Sequence, residues 1–261
     1  MPEQTEYVHG TPSWIDVSSP DIPATKTFYE DLFGWTAEDS GPAEVTGGYG
    51  MFRLRGRLVA GYGPAQGGAP PSWTTYFDVD DADKTCEVAK QAGGAVFMEP
   101  MDVLDVGRMA VLADPQGAVF SVWQPRAHKG AELVREPGAF QWTELNTTDL
   151  QGAKAFYTHV FGWGAKTFEG EMPYTEFTVA DADVAGMMTL PEEAASAGAP
   201  PHWLAYLGVD DCDSKVEKAR ALGAEMLAGP FDVPEAGRLA VLRDPQGAVF
   251  AVIKAKENLI S

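Results

Sequence analysis

Apolar and polar residues alternate from Trp14 to Ser18 and the run ends at a turn, which predicts a strand. Asp21 is placed to cap a helix with Pro23 in its first turn. Ala24, Phe28 and Leu32 then recur every four residues, and Gly34 ends the helix. Three short strands are expected near Trp35–Asp39, Tyr49–Leu54 and Arg57–Gly61. The series restarts with a strand over Trp73–Val79 and a helix capped by Asp81 that ends at Gly93-Gly94. Strands follow at Ala95–Met98, Arg108–Ala113 and Ala118–Trp123. Asp114-Pro115-Gln116-Gly117 joins the last two, with the proline and glycine where a type I turn wants them. The pattern is βαβββ, twice.

The whole pattern then repeats. GRMAVLADPQGAVFSVW (Gly107–Trp123) and GRLAVLRDPQGAVFAVI (Gly237–Ile253) agree at 13 of 17 positions, offset by 130. Pro70–Asp83 faces Pro200–Asp213 at the same offset, and Trp14–Trp35 faces Trp142–Trp163 at an offset of 128. Two copies of a unit of about 120 residues, at so long a period, mean tandem domains and not a solenoid. Charged residues over Gln124–Gly138, closed by Pro137-Gly138, read as the connection.

The spacing D-x6-F-Y-x4-G-W occurs twice, from Asp21 to Trp35 and from Asp149 to Trp163. Together with the later G-R-x-A-V-L-x-D-P-x-G it resembles the vicinal oxygen chelate superfamily, from Gly10 to about Lys254. That group includes glyoxalase I, fosfomycin- and bleomycin-resistance proteins and extradiol dioxygenases. The tandem arrangement is similar to actinobacterial two-domain glyoxalase-like proteins of the mycobacterial 27-kDa antigen type, often labelled hydroxylases. The resemblance implies an α+β fold of four βαβββ modules. These pair into two glyoxalase-like domains with open, curled mixed sheets. The expected domains are 10–125 and 138–255, with 126–137 as linker. Fold alone leaves the chemistry open.

The resemblance also implies where a divalent metal would be held: seven residues before each capping Asp, and seven after the Asp of D-P-x-G. Those positions hold Trp14, Thr74, Trp142, Leu204, Ser121 and Ala251. None supplies the imidazole or carboxylate donors such an ion needs. The expectation is no metal and no cofactor, with Asp16 and Glu144 as single carboxylates two residues beyond the two tryptophans. Each has a capping or buried hydrogen-bonding role as the alternative.

Side chains two apart share a strand face. The face of the first copy carries Trp14, Asp16, Ser18, Thr74, Tyr76, Asp78, Ser121 and Trp123. That of the second carries Trp142, Glu144, Asn146, His202, Leu204, Tyr206, Ala251 and Ile253. Aromatic walls with a few polar groups suit a small-molecule pocket, more polar in the first copy than in the second. The same residues also suit a filled core. Met187-Met188 belongs to the second cavity or to its core. Arg108 and Arg238 suit structural ion pairs, and Cys86 and Cys212 suit buried packing. His9, His128 and His159 fall in a tail, a linker and a helix end, where no catalytic role is expected.

Nineteen basic against 38 acidic residues give a formal charge of −19, which argues against nucleic acid and anionic membrane partners. No apolar run approaches a membrane span, no leader pattern opens the chain, and two distant cysteines suit a reducing, cytoplasmic setting. The expected activity is metal-independent binding of an aromatic or cationic metabolite or drug by a monomer or homodimer. A lyase, isomerase or hydroxylase-like enzyme with Asp16 or Glu144 as acid/base is the first alternative. A scaffold with filled cavities is the second.

Overall fold

A computed structural model describes residues 4–170 and 173–256 of the chain. The first copy contains β1 (Pro12–Ser19), α1 (Ile22–Phe33), β2 (Thr36–Asp39), a single turn α2 (Ala43–Thr46), β3 (Gly50–Leu54) and β4 (Arg57–Pro64). It continues with β5 (Ser72–Asp78), α3 (Ala82–Gln91), β6 (Ala95–Val103), β7 (Gly107–Ala113) and β8 (Val119–Pro125). The second copy repeats the order with β9 (Phe140–Thr147), α4 (Leu150–Phe161), β10 (Gly164–Phe168), β11 (Tyr174–Val179), β12 (Ala182–Thr189) and a short turn α5 (Glu192–Ser196). It ends with β13 (His202–Gly208), α6 (Cys212–Ala221), β14 (Glu225–Val233), β15 (Gly237–Arg243) and β16 (Val249–Ala255). Each copy is one open eight-stranded sheet, ordered β2-β3-β4-β1-β5-β8-β7-β6 and β10-β11-β12-β9-β13-β16-β15-β14. The α+β architecture expected from the repeat is present.

Local chemistry sets the element ends. The carboxylates of Asp21, Asp81, Asp149 and Asp211 each accept the backbone N–H three residues on and start the four long helices. Gly34 closes α1 at φ 73°, a left-handed conformation in which a side chain would be strained. β6 runs on to Val103, past the Met98 expected from the pattern. Pro100 is tolerated there because β6 is an edge strand and its register shifts between Met98 and Met101.

The two sheets meet through their helix-bearing faces. One core joins Ile15, Phe28, Trp35 and Trp73 of the first copy to Ala205, Val216, Phe250 and Val252 of the second. The other joins Phe77, Phe120 and Val122 to Phe156, Tyr157, Trp163 and Trp203. Each core therefore joins mainly one module from each copy, with Trp73 or Trp203 added from the adjoining central strand. Thr75 and Thr143 on the central strands β5 and β9 hydrogen-bond across the middle at 3.0 Å.

The repeated motifs lock the copies together. Tyr29 of F-Y donates to Asp244 Oδ2 in the other copy's D-P-Q-G turn at 2.8 Å, and Tyr157 donates to Asp114 Oδ2 at 3.2 Å. Each phenol oxygen also accepts from an indole: Trp73 onto Tyr29, Trp203 onto Tyr157. The second oxygen of each aspartate is bound by its own turn. Asp114 Oδ1 accepts the N–H groups of Gln116 and Ala118, and Asp244 Oδ1 those of Gln246, Gly247 and Ala248. Trp35 and Trp163 of the two G-W pairs donate to the carbonyls of Gly138 and Gly10 in the opposite copy. Both aspartates are buried, and burial raises their carboxyl pKa.

Tyr29→Phe leaves Trp73 Nε1 and Asp244 Oδ2 each short of a partner. The expected cost is about 1.5–3 kcal/mol in urea denaturation, since the lost bond has a carboxylate acceptor and is buried. A loss below about 0.5 kcal/mol would show that the clasp does not hold the copies together.

Candidate functional site

The faces turned away from the helices carry the sequence-predicted residues. Parallel pairing of β1 with β4 and antiparallel pairing with β5 places Asp16 beside Gly61 and Thr74, and Trp14 beside Tyr76. Tyr49, just before β3, reaches across β4 onto this face. A Cβ on Gly61 would collide with its hydroxyl, so the glycine makes the room. Trp14 Nε1 donates to Tyr49 Oη at 2.9 Å. Tyr49 and Tyr76 both donate to Asp16 Oδ2, at 3.1 and 2.8 Å. Trp14 and Asp16 are 3% and 7% exposed, and burial pushes the Asp16 carboxyl up to about 6 against the help of both phenols.

The second copy rebuilds the cluster. Trp142 Nε1 donates to Tyr174 Oη at 3.1 Å and Tyr206 Oη donates to Glu144 Oε1 at 2.8 Å. A Cβ on Gly186 would strike the Tyr174 hydroxyl. Burial raises the Glu144 carboxyl, opposed by Tyr206, Tyr174 and Asn146. The chain thus builds a hydrogen-bonded cluster of one buried acid, two phenols and one indole on each outer sheet face. Tyr49 and Tyr174 escaped the sequence reading. Their shared signal is Y-x-x-F ahead of a repeated Val-Ala-Gly, Val59–Gly61 and Val184–Gly186.

Other expected site residues fall around these clusters. Ser121 is buried beside Tyr76, and Trp123 packs in one apolar group with Trp14, Tyr76 and Ala131. Thr74 flanks Asp16 in register. Ser18 lies at the far end of β1, bonded to Ser72 and apart from the cluster. In the second copy Asn146 neighbours Glu144, while His202 pairs with Asn146 in register and holds the Pro200 carbonyl through Nδ1. Leu204, Ala251 and Ile253 supply apolar floor beside Tyr206. Alternation divides the methionine pair: Met187 fills the helix-side core, and Met188 lies on the outer face beside Asn146. Arg108 pairs with Asp83 and Asp102, and Arg238 with Asp213 and Asp232, as the repeat suggested. Cys86 and Cys212 are buried free thiols whose pKa burial pushes up to about 11.

The segment read as the linker has a packing role in the first copy. His128 sets its ring edge-on against Trp14, with centroids 4.6 Å apart, and against Trp123 at 5.6 Å. Trp123 Nε1 donates to the His128 carbonyl at 2.9 Å. Ala131 N–H donates to the Ser13 carbonyl, and those of Glu132 and Leu133 to Leu58. The charged sequence gave no hint of this, because the ring contacts are tertiary.

The donor set does not fit the divalent metal that the resemblance implies. The second face brings the single buried carboxyl of Glu144 and the first brings Asp16 with Asp78 at the far end of β5; Asp16 and Glu144 are already bound by tyrosine hydroxyls. Among the described residues no three His, Cys, Asp or Glu side chains converge. Among the same residues no helix is long and apolar enough to cross a membrane.

Comparison with known proteins agrees with this architecture. The family model for the Glyoxalase/Bleomycin resistance protein/Dioxygenase superfamily matches residues 11–122 and 139–252. "Putative glyoxylase CFP32" of Mycobacterium tuberculosis is 42% identical over 260 residues, 97% of this chain and 98% of that protein. "Anthracycline biosynthesis protein DauV" of Streptomyces sp. strain C5 is 40% identical over 273 residues, 97% of this chain and 96% of that protein. Among solved structures, the Mn(II)-bound glyoxalase from Novosphingobium aromaticivorans superposes with a TM-score of 0.65 at 18% identity. It covers 95% of this chain and 83% of that one. The 2,3-dioxygenase LapB from Pseudomonas sp. KL28 also gives 0.65, at 13% identity, over 95% and 94%. With two matched repeats and relatives aligned along nearly the whole chain, this protein belongs to the glyoxalase/bleomycin resistance protein/dioxygenase superfamily.

Proposed function

We propose that the protein binds a planar, oxygenated aromatic molecule on an outer sheet face, without a metal. The observation that carries this reading is the recurrence of the indole–phenol–acid–phenol cluster in both copies. A buried carboxyl oxygen accepts a hydrogen bond from a phenol, so it pairs with a hydroxylated ring. The indole and the apolar strand residues give a flat ring system area to cover. A relative is named for anthracycline biosynthesis, and an anthracycline is a fused, oxygenated aromatic ring system. The charge of −19 leaves the surface unsuited to anionic ligands.

One observation favours a second reading, an enzyme that moves protons. A carboxyl titrating near 6 is matched to acid–base work at neutral pH, as Asp16 is here.

The probe is 1-hydroxyanthraquinone, which is neutral at pH 7, followed by calorimetry and tryptophan quenching. Saturable binding is expected, unchanged by EDTA. Glu144→Ala should weaken it about tenfold, the scale of one buried hydrogen bond lost from a site. Absence of saturable binding, or its loss on chelation, would overturn the reading.

Elemental analysis of protein purified without chelator should find no stoichiometric manganese, iron, nickel or zinc. A full equivalent of any of these would contradict the donor-set argument.

Asp16 also sets a pH dependence. Its folded pKa is raised from 3.8 to about 6, so the folded state holds the proton more tightly than the unfolded one. Its contribution to stability is full below about pH 4 and is lost as pH rises through 6. Asp16→Asn has no proton to lose. Wild type should therefore lose stability relative to Asp16→Asn between pH 4 and pH 8 in urea titrations. A constant difference would refute the assignment.

A further inference from the structure

Each outer face differs on the two sides of its acid. From Asp16 the register runs through Gly61 and Met51 to Glu38 at one sheet edge, and from Glu144 through Gly186 and Glu176 to Lys166. Ion pairs hold that flank, Arg53 with Glu38 and Lys166 with Asp183. The opposite flank is apolar. From Trp14 the register runs through Tyr76, Ser121 and Val111 to Met98, with Met109 and Met101 paired two residues along. From Trp142 it runs through Tyr206, Ala251 and Val241 to Ala228, with Leu239 and Phe231 paired two residues from Val241. At the far edges Met98, Met101 and Phe231 are 39%, 47% and 43% exposed.

A sheet face that meets water alternates its apolar core side chains with polar ones. β7 and β15 do not. Ala110 and Leu112 fill one helix-side core while Met109 and Val111 point outward, and Ala240 and Leu242 fill the other while Leu239 and Val241 point outward. Apolar side chains left in the open at equivalent positions of both copies mark a face that is covered in use. We propose that this flank seats the carbon skeleton of the ligand, so that the protein selects a polycyclic aromatic over a single-ring phenol. The proposal rests on reading the outer faces as ligand sites. β7 lies three strand spacings from β1, about 14 Å, and β15 stands likewise to β9. A single ring held at the acid covers β5 or β13 and leaves the flank wet. Three fused rings reach on to β8 and β7, or to β16 and β15, and bury apolar area there. The charged flank offers such a skeleton nothing, because covering an ion pair strips its hydration without replacing it. Oxygen therefore belongs at one end of the ligand and unsubstituted rings at the other. The methionines of the first copy let that end vary in shape, since an unbranched thioether repacks easily.

Calorimetry with two neutral probes tests the seat. 1-Hydroxyanthraquinone and 2-hydroxyacetophenone carry the same hydroxyl–carbonyl edge, on three rings and on one. The wild-type protein should hold the three-ring probe at least about tenfold tighter. Val111→Thr combined with Val241→Thr keeps the shape of both side chains and makes them polar. It should weaken the three-ring probe about fivefold and leave the single-ring probe within about twofold. Methionine oxidation read by mass spectrometry needs no variant. Saturating 1-hydroxyanthraquinone should protect Met109. Met226, exposed and paired with Leu242 of a helix-side core, should react as before. Equal affinity for the two probes, equal weakening of both in the variant, or an unprotected Met109 overturns the seat while the ligand reading stands. Sedimentation of the wild type as a dimer that the variant separates also overturns it, since a second copy then covers the flank. No saturable binding of either probe removes the ligand reading and the seat together.

Discussion

A phenol from one copy bound to a turn aspartate of the other is the constraint on which this molecule depends. Tyr29 with Asp244, and Tyr157 with Asp114, sit where a sheet face, a helix and a hairpin turn converge. Each pair is buried and each carboxyl is already committed to its own turn, so the geometry of the hairpin and the docking of the copies are one problem with one solution. The helices are thereby trapped between the sheets. The only broad sheet faces left to chemistry are the outer ones.

On those faces the acid is the unusual element. A carboxyl buried under aromatic rings loses most of its hydration, and hydroxyl donors replace part of it. Asp16 has two phenols to compensate it and still titrates near 6. The family position for a metal donor is occupied by an indole, whose N–H bonds a tyrosine and so helps orient the phenols around the acid.

Much of this was legible in the residues, for identifiable reasons. Capping aspartates and Gly34 act locally, so their sequence spacing was enough to mark the helices. The repeat and the alternation at Trp14, Asp16 and Tyr76 located the outer faces, because β-strand geometry alone decides which side chains share a side. Tyr49 and Tyr174 were missed because they enter from outside the strands that carry the expected residues. Only a glycine in the intervening strand betrays the space they need. His128 was missed because its role depends on folding back over a sheet from a charged segment that reads as a linker. The inter-copy clasp was hidden for the same reason: D-P-Q-G announces its turn, while the partner of its second oxygen lies in the other half of the chain.

The reciprocity of the clasp bears on how such a chain came to exist. The Tyr of each half meets the Asp of the other, which is the isologous arrangement of a two-fold dimer. A single-copy ancestor needs no new surface to make it, only a second molecule of itself. Fusion turns that concentration-dependent association into an intramolecular one. It also frees the two outer faces from identity, since a mutation no longer appears in both subunits at once. The halves have kept D-P-Q-G-A-V-F in common, where each must fit the other. They have drifted at Ser121 and Ala251, and at Trp123 and Ile253, which lie on the outer faces.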